Sequence, residues 1–193
     1  SYDYNYSICS KCYQKLKRGE KIIENQFRSK IAGENAFIIP EALLENFDYR
    51  YLNYLKKYVD LVFNGEDFRS WIQEIKLVKE ENNIKQYCIN FIIYRTDGNS
   101  VTVLETIEDV PTLRLEMIAN TFKNNTILLD EKYYSVSLGY IYRIIPVRVN
   151  NKGEQLDIGR VLSFYNAILS GQKISYKLIF KYACEALDKG FKQ

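Results

Sequence analysis

The sequence predicts an α+β fold that is predominantly helical, with a central antiparallel β-hairpin over about residues 84–95 and 100–108. Both hairpin segments are rich in β-branched and aromatic residues, which favour strands. Asp97-Gly98 lies between them, and an Asp-Gly pair between two such segments is typical of a tight hairpin turn. Much of the remaining chain has apolar residues at the three- and four-residue spacing of helices, which makes helix the majority element.

The first helix is predicted from Lys11 onward. Its apolar residues recur at spacings of four, three, four and four, which places them on one helical face. They are Cys12, Leu16, Gly19, Ile23 and Phe27. Gly33 is expected to end this helix. Residues 36–39 are expected to be extended, because the residue before a proline, here Pro40, disfavours helical backbone angles.

Further helices are predicted from the same periodicity. Pro111 is expected to open one of them, because proline is tolerated at the first helical position. Residues 133–145 fit a strand and a helix equally well. The predicted helical segments are residues 41–63, 66–82, 111–122, 156–169 and 174–191.

Three regions are predicted along the chain. They are residues 1–40, a half zinc-ribbon knuckle with a basic helix; residues 41–125, helices with the central hairpin; and residues 126–193, a C-terminal helical region. Net charge is +1 over residues 1–45, −3 over residues 46–139 and +5 over residues 140–193. Two basic ends around an acidic middle permit a surface that faces nucleic acid.

Composition excludes several classes of enzyme. The 193 residues include no histidine, so a Ser-His-Asp triad, a Cys-His dyad or a Cys/His zinc finger cannot be built from this chain alone. The glycines are isolated and form no phosphate-binding loop, and no convincing pair of catalytic carboxylates is present. We therefore expect a protein that is not an enzyme.

The sequence has no apolar run of the roughly 18 residues needed to span a bilayer and no signal-peptide pattern near its start. Its four cysteines are too sparse for a disulfide scaffold. A cytoplasmic location, no membrane partner and no small-molecule substrate are the expectations.

Cys9 and Cys12 form a CxxC motif that opens onto the first helix. This spacing allows two thiolates to grip one Zn²⁺, but a structural zinc site takes four ligands. Three interpretations remain open: half of a zinc ribbon, a pair of unligated thiols, or a redox-active pair. We expect zinc in the full-length protein and no zinc, or a partial amount, in this chain.

Five basic residues form the candidate nucleic-acid site. They occupy most of the helix side opposite the apolar face, where cations could neutralise phosphates and give salt-sensitive binding. A plain solvated helix face is the alternative, since lysine-rich faces are common. The five are Lys11, Lys15, Lys17, Arg18 and Lys21.

Several motifs, read in order, resemble one known family. They are the run from Ile8 to Gly19 with its cysteine pair, the Phe37-Ile38-Ile39-Pro40-Glu41 segment, and Asp109-Val110-Pro111 followed by Arg114. In this order they are similar to the middle of the type I-B CRISPR-associated large subunit, the Csh-type effector protein. Family members carry an earlier cysteine pair that would complete a zinc ribbon. The resemblance therefore implies that this chain is a fragment beginning inside that ribbon.

The resemblance implies a non-catalytic subunit of an RNA-guided DNA surveillance complex in antiviral defence. Its partners would be other CRISPR effector subunits, guide RNA and target DNA, and it would contribute to recognition of the motif beside the target. Thr112-Leu113 replace the Pro-Ser usual in the family, so Arg114 is expected only to form a local ion pair with Asp109. The alternative is a protein–protein scaffold module with no nucleic-acid contact of its own.

Overall fold

A computed structural model describes residues 8–42, 56, 59–60, 63, 87–128 and 137–190, and these residues contain four strands and several helices. The elements are α1 (Ser10–Gln26), β1 (Arg28–Ile31), β2 (Glu34–Ala42), β3 (Tyr87–Thr96), β4 (Val101–Pro111), α2 (Thr112–Leu128), α3 (Tyr140–Ile144), α4 (Ile158–Leu169) and α5 (Tyr176–Gly190). The strands form one antiparallel sheet in the order β1-β2-β3-β4. The predicted α+β class is confirmed.

The first hairpin, β1–β2, is a correction to the sequence analysis. Helix α1 ends at Gln26, so the prediction that it continues to Gly33 was wrong. Ala32 and Gly33 instead form a two-residue turn, with φ of 53° and 83°, between the paired residues Ile31 and Glu34. Positive φ at both positions is typical of a type I′ turn, which usually uses Asn-Gly. Alanine at the first position hides that signature in the sequence.

The central hairpin is confirmed, with β3 and β4 as its strands; residues 84–86 lie outside the described residues. The carboxylate of Asp97 accepts hydrogen bonds from the backbone N–H groups of Ser100, at 2.7 Å, and Asn99, at 2.9 Å. These donors hold the pKa of Asp97 below its usual value, the Ser100 N–H having the largest effect. Gly98 supplies the positive φ, at 93°.

Strand β2 joins the two hairpins into one sheet. The extended segment predicted at residues 36–39 lies in the middle of β2, and Ile38 pairs with Phe91 of β3. The boundary predicted between residues 40 and 41 falls inside this strand. The buried core contains side chains from both sides of that predicted boundary, such as Ile38 and Ile89.

One face of the sheet packs against helices α2 and α4. Phe91 is fully buried at the centre of this face, and its ring centroid lies 5.9 Å from that of Phe63. Phe63 also meets the buried Tyr165 of α4 edge-on, at 5.3 Å. Phe63 belongs to the helix predicted over residues 41–63 and is helical here. Most of that helix, and all of the one predicted over residues 66–82, lies outside the described residues.

The later helices follow the prediction closely. Pro111 is the last residue of β4 and not the first of a helix, so α2 begins one residue later and runs on to Leu128. The ambiguous stretch at residues 133–145 contains the short helix α3. Helices α4 and α5 begin two residues after their predicted starts. No helix in the described ranges is long and apolar enough to cross a bilayer.

Candidate nucleic-acid and metal-binding helix

The cysteine pair sits at the N-terminus of α1. Cys9 is the N-cap residue, and its sulfur accepts a hydrogen bond from the backbone N–H of Cys12 at 3.4 Å. Both thiols are exposed and free. The local reason for this geometry is that the first N–H groups of a helix have no partner in the helix and take a side-chain acceptor.

The two thiols differ in acidity. The backbone N–H of Cys12 stabilises the Cys9 thiolate and so lowers the pKa of Cys9, while the interaction with the Cys9 side chain raises the pKa of Cys12. A thiolate on Cys9 is therefore formed more readily than one on Cys12. The thiolate is the form that binds metals and attacks electrophiles.

This difference can be measured by alkylation. We expect iodoacetamide to modify Cys9 faster than Cys12 near neutral pH, because a lowered pKa leaves more thiolate at a given pH. The midpoint of the rate–pH curve of Cys9 is expected to lie below that of Cys12. Trypsin cleaves after Lys11 and separates the two cysteines, so peptide mass spectrometry gives both rates.

The control is Cys12→Ser, which keeps the backbone N–H that stabilises Cys9. We expect iodoacetamide to alkylate Cys9 at an unchanged rate in this variant. Equal rates and equal midpoints for the two cysteines of the unaltered chain would contradict the assignment.

As a metal site, the pair supplies two ligands. A tetrahedral zinc site needs two more. The metal-ligand group that the described residues do form, Glu41 with Cys88 and Asp109, is a separate one. Of the remaining cysteines, Cys88 is buried in β3 and Cys184 is exposed on α5. The donor set fits half of a zinc site.

All five predicted basic residues are exposed on α1. Lys17 forms an ion pair with Glu20 at 2.8 Å, and this partner raises the pKa of Lys17. The other four have no ion pair with the described residues, and three of them share one helix face because they are four and three residues apart. These three are Lys11, Lys15 and Arg18; Lys21 lies on the adjacent side. Four of the five candidate cations therefore have no acidic partner among the described residues.

The apolar face of α1 does not pack as a core face over most of its length. No residue of α1 itself is buried, and Leu16 is 59% exposed. The helix contacts β1 and β2, and Phe27, immediately after the helix, is the first buried residue of the part of the chain that the structure describes. Both faces of the N-terminal turns are therefore accessible to a partner.

Sequence reasoning missed the group formed by Glu41, Cys88 and Asp109. Their ligand atoms lie within 4.8 Å of one another on three adjacent strands, and the buried Cys88 has a pKa raised by burial and by the two carboxylates. Asp109 has a φ of 56°, and its N–H donates to the side-chain oxygen of Asn90 at 2.8 Å. Only the strand register brings these residues together, so no local motif could have found them.

The expectation for Arg114 needs correction. Its Nε and Nη2 atoms donate to the carbonyl oxygen of Ile168, at 2.9 and 2.6 Å, and no ion pair with Asp109 is formed. A cation at this carbonyl satisfies an acceptor in the last turn of α4 and complements the helix dipole. Arg114 therefore ties α2 to the end of α4.

Comparison with protein families identifies the class. A model described as the central domain of the CRISPR-associated protein TM1802 matches residues 1–110, more than half of the chain. The match makes this chain a CRISPR-associated protein, as the resemblance implied. Within that class it belongs to the TM1802 family, and α1 with the whole sheet lies in the matched range apart from Pro111. No curated protein and no solved structure matches the chain.

Proposed function

We propose that this chain is part of the non-catalytic large subunit of a type I-B CRISPR surveillance complex, acting in antiviral defence in the cytoplasm. In this role α1 contacts the phosphate backbone of target DNA or guide RNA. Other effector subunits supply base-specific recognition through the guide. Membership of the TM1802 family supports a role in a CRISPR complex.

The observation that carries the contact is the exposed cationic face of α1. Lys11, Lys15 and Arg18 share a solvent-exposed face and have no acidic partner among the described residues. Backbone contacts of this kind depend on charge and not on sequence, and each phosphate neutralised releases counterions.

The cysteine pair fixes the tip of this helix in the proposal. Cys9 and Cys12 contribute two thiolates to a zinc site completed by ligands outside the described residues. A bound zinc ion would hold the entry of α1 in one orientation toward the nucleic acid. In the alkylation experiment, added Zn²⁺ is then expected to slow the labelling of both cysteines, since coordinated thiolates are protected.

The test is DNA binding across a salt series. We expect the triple variant Lys11→Glu, Lys15→Glu, Arg18→Glu to bind about 10–100-fold more weakly at low salt, because three phosphate contacts are lost. The slope of log K against log salt should become less steep by roughly 2–3 for duplex DNA. Filter binding with single- and double-stranded DNA measures both quantities.

A matched control removes the same charge elsewhere. Lys173→Glu, Lys177→Glu, Lys181→Glu reverses three exposed lysines at or near α5 and changes the net charge equally. It should leave the salt slope close to that of the unaltered chain. Equal losses in both triple variants would indicate a general charge effect and contradict the assignment to α1.

A scaffold role is the second candidate, favoured by the exposed apolar side of α1. Leu16 and Tyr13 are 59% and 55% exposed, which suits contact with a protein better than contact with phosphates. In that case the α1 charge reversals leave DNA binding unchanged. Leu16→Glu would instead reduce pull-down of effector subunits after nuclease treatment.

A further inference from the structure

Helix α5 carries an exposed apolar seam. Its members are four, three and four residues apart, which is the spacing of a coiled-coil contact line. Tyr176, Phe180 and Leu187 are 75%, 70% and 62% exposed, and Ala183 is also exposed. Large apolar side chains that are this exposed to solvent and lie along one helix face indicate an interaction surface.

The rest of the domain holds α5 by a different side. The ring of Tyr182 packs against Phe164, with centroids 5.8 Å apart, and Glu185 forms an ion pair with Arg160 at 2.9 Å. On a helical wheel these two residues lie more than 100° from the centre of the seam. The contacts that fix α5 therefore leave the seam uncovered by the part of the chain that the structure describes.

We propose that this seam binds a second copy of the chain in antiparallel orientation. The gaps of four, three and four read the same in both directions, so two antiparallel copies meet in register. Tyr176 then lies opposite Leu187 of the second copy, and Phe180 lies opposite its Ala183. Large side chains face smaller ones, which is the arrangement that packs without voids.

The charges beside the seam favour the same orientation. Lys177 and Lys181 flank one edge in the N-terminal half of α5, and Asp188 flanks the same edge near the C-terminal end. An antiparallel pair brings these equivalent edges together in reversed order, so Lys177 approaches Asp188 of the second copy, twice by symmetry. A parallel pair would set the lysines against the apolar edge formed by Ile179.

The size of the seam sets the expected affinity. Helix α5 has 15 residues and is about 22 Å long, so the contact is at the small end of specific interfaces. We expect a reversible dimer with a dissociation constant of about 10–100 μM. This association is independent of nucleic-acid binding by α1.

Sedimentation equilibrium of the full chain, free of nucleic acid, tests the proposal from about 1 to about 300 μM. The unaltered chain should move from monomer to dimer over this range. Phe180→Glu should weaken the dimer at least about tenfold, because a charge would be buried in the seam. The control Met117→Glu changes a residue that is 60% exposed on α2 and should dimerise normally.

A charge exchange tests the orientation. Lys177→Asp alone should weaken the dimer about two- to fivefold, and adding Asp188→Lys should restore it, since the pair is re-formed with opposite signs. Circular dichroism checks that each variant remains folded. The seam is ruled out as the dimer contact if the unaltered chain stays monomeric at the highest concentration, or if Phe180→Glu leaves the dissociation constant unchanged. Failure of the exchange to restore affinity overturns the antiparallel register, and loss of the dimer in Leu16→Glu would move the contact to α1.

Discussion

Replacing Phe91 by alanine is expected to lower the free energy of unfolding by about 3–5 kcal/mol, the range for a large buried aromatic side chain. Phe91 is fully buried on β3, where the sheet packs against the rings of Phe63 and Tyr165. Its ring faces Phe63 at 5.9 Å, and Phe63 in turn packs on Tyr165 at 5.3 Å. Truncation would leave a cavity lined by these rings, and rigid aromatic side chains collapse poorly into such a space.

Urea unfolding followed by far-UV circular dichroism measures this loss. Leu16→Ala is the matched control, because Leu16 is 59% exposed and its truncation should change stability by less than about 0.5 kcal/mol. Phe91→Leu should fall between the two. A loss below about 1 kcal/mol for Phe91→Ala would show that this position does not belong to a close-packed core.

Replacing Gly139 by alanine is expected to cost about 2–4 kcal/mol, from overpacking together with a weakened hydrogen bond. The N–H of Gly139 donates to the carbonyl oxygen of Phe63 at 3.0 Å, and a Cβ atom at this position would lie 2.3 Å from that same oxygen. The backbone angles of Gly139, φ −60° and ψ −22°, suit alanine well. The penalty is therefore steric and comes from the approach of two backbone segments.

The control uses a second glycine of the same chain. Gly159 lies in the first turn of α4, and a Cβ there would meet no atom within 4 Å. Gly159→Ala should raise stability by up to about 1 kcal/mol, because alanine is the better helix former. Equal effects of the two substitutions in urea unfolding would rule out the close contact at Phe63.

The sequence predicts well what short segments determine. Asp97-Gly98 indicates the central hairpin because its turn is closed by neighbouring groups, and α4 follows from periodic apolar residues. The first hairpin was not predicted, because Ala32-Gly33 lacks the usual turn residues and because the apolar periodicity of α1 continues through Phe27. Pairing with β2 makes residues 28–31 a strand, and no pattern within those four residues contains that information.

For the candidate site, the helix and its cysteines were predictable and their surroundings were not. The wheel of α1 separates cations from apolar residues, but it says nothing about whether Leu16 meets a core or solvent. The pairing of Lys17 with Glu20 follows from their spacing on one helix. The contact of Arg114 with Ile168 joins residues far apart in sequence, so only the packing of α2 against α4 reveals it.

The connection between β2 and β3 has a consequence for the order of folding. Two residues close the first hairpin and four close the central one, whereas residues 43–86 separate the two strands that form the middle of the sheet. Bringing the two ends of that 44-residue segment together costs about 2 kcal/mol more chain entropy than closing the four-residue turn. Hairpins assemble in about 1–10 μs, so both are expected to form early, and the rate of folding is set by their collision. The line where Ile38 meets Phe91, at the centre of the finished sheet, is then the last part of it to close.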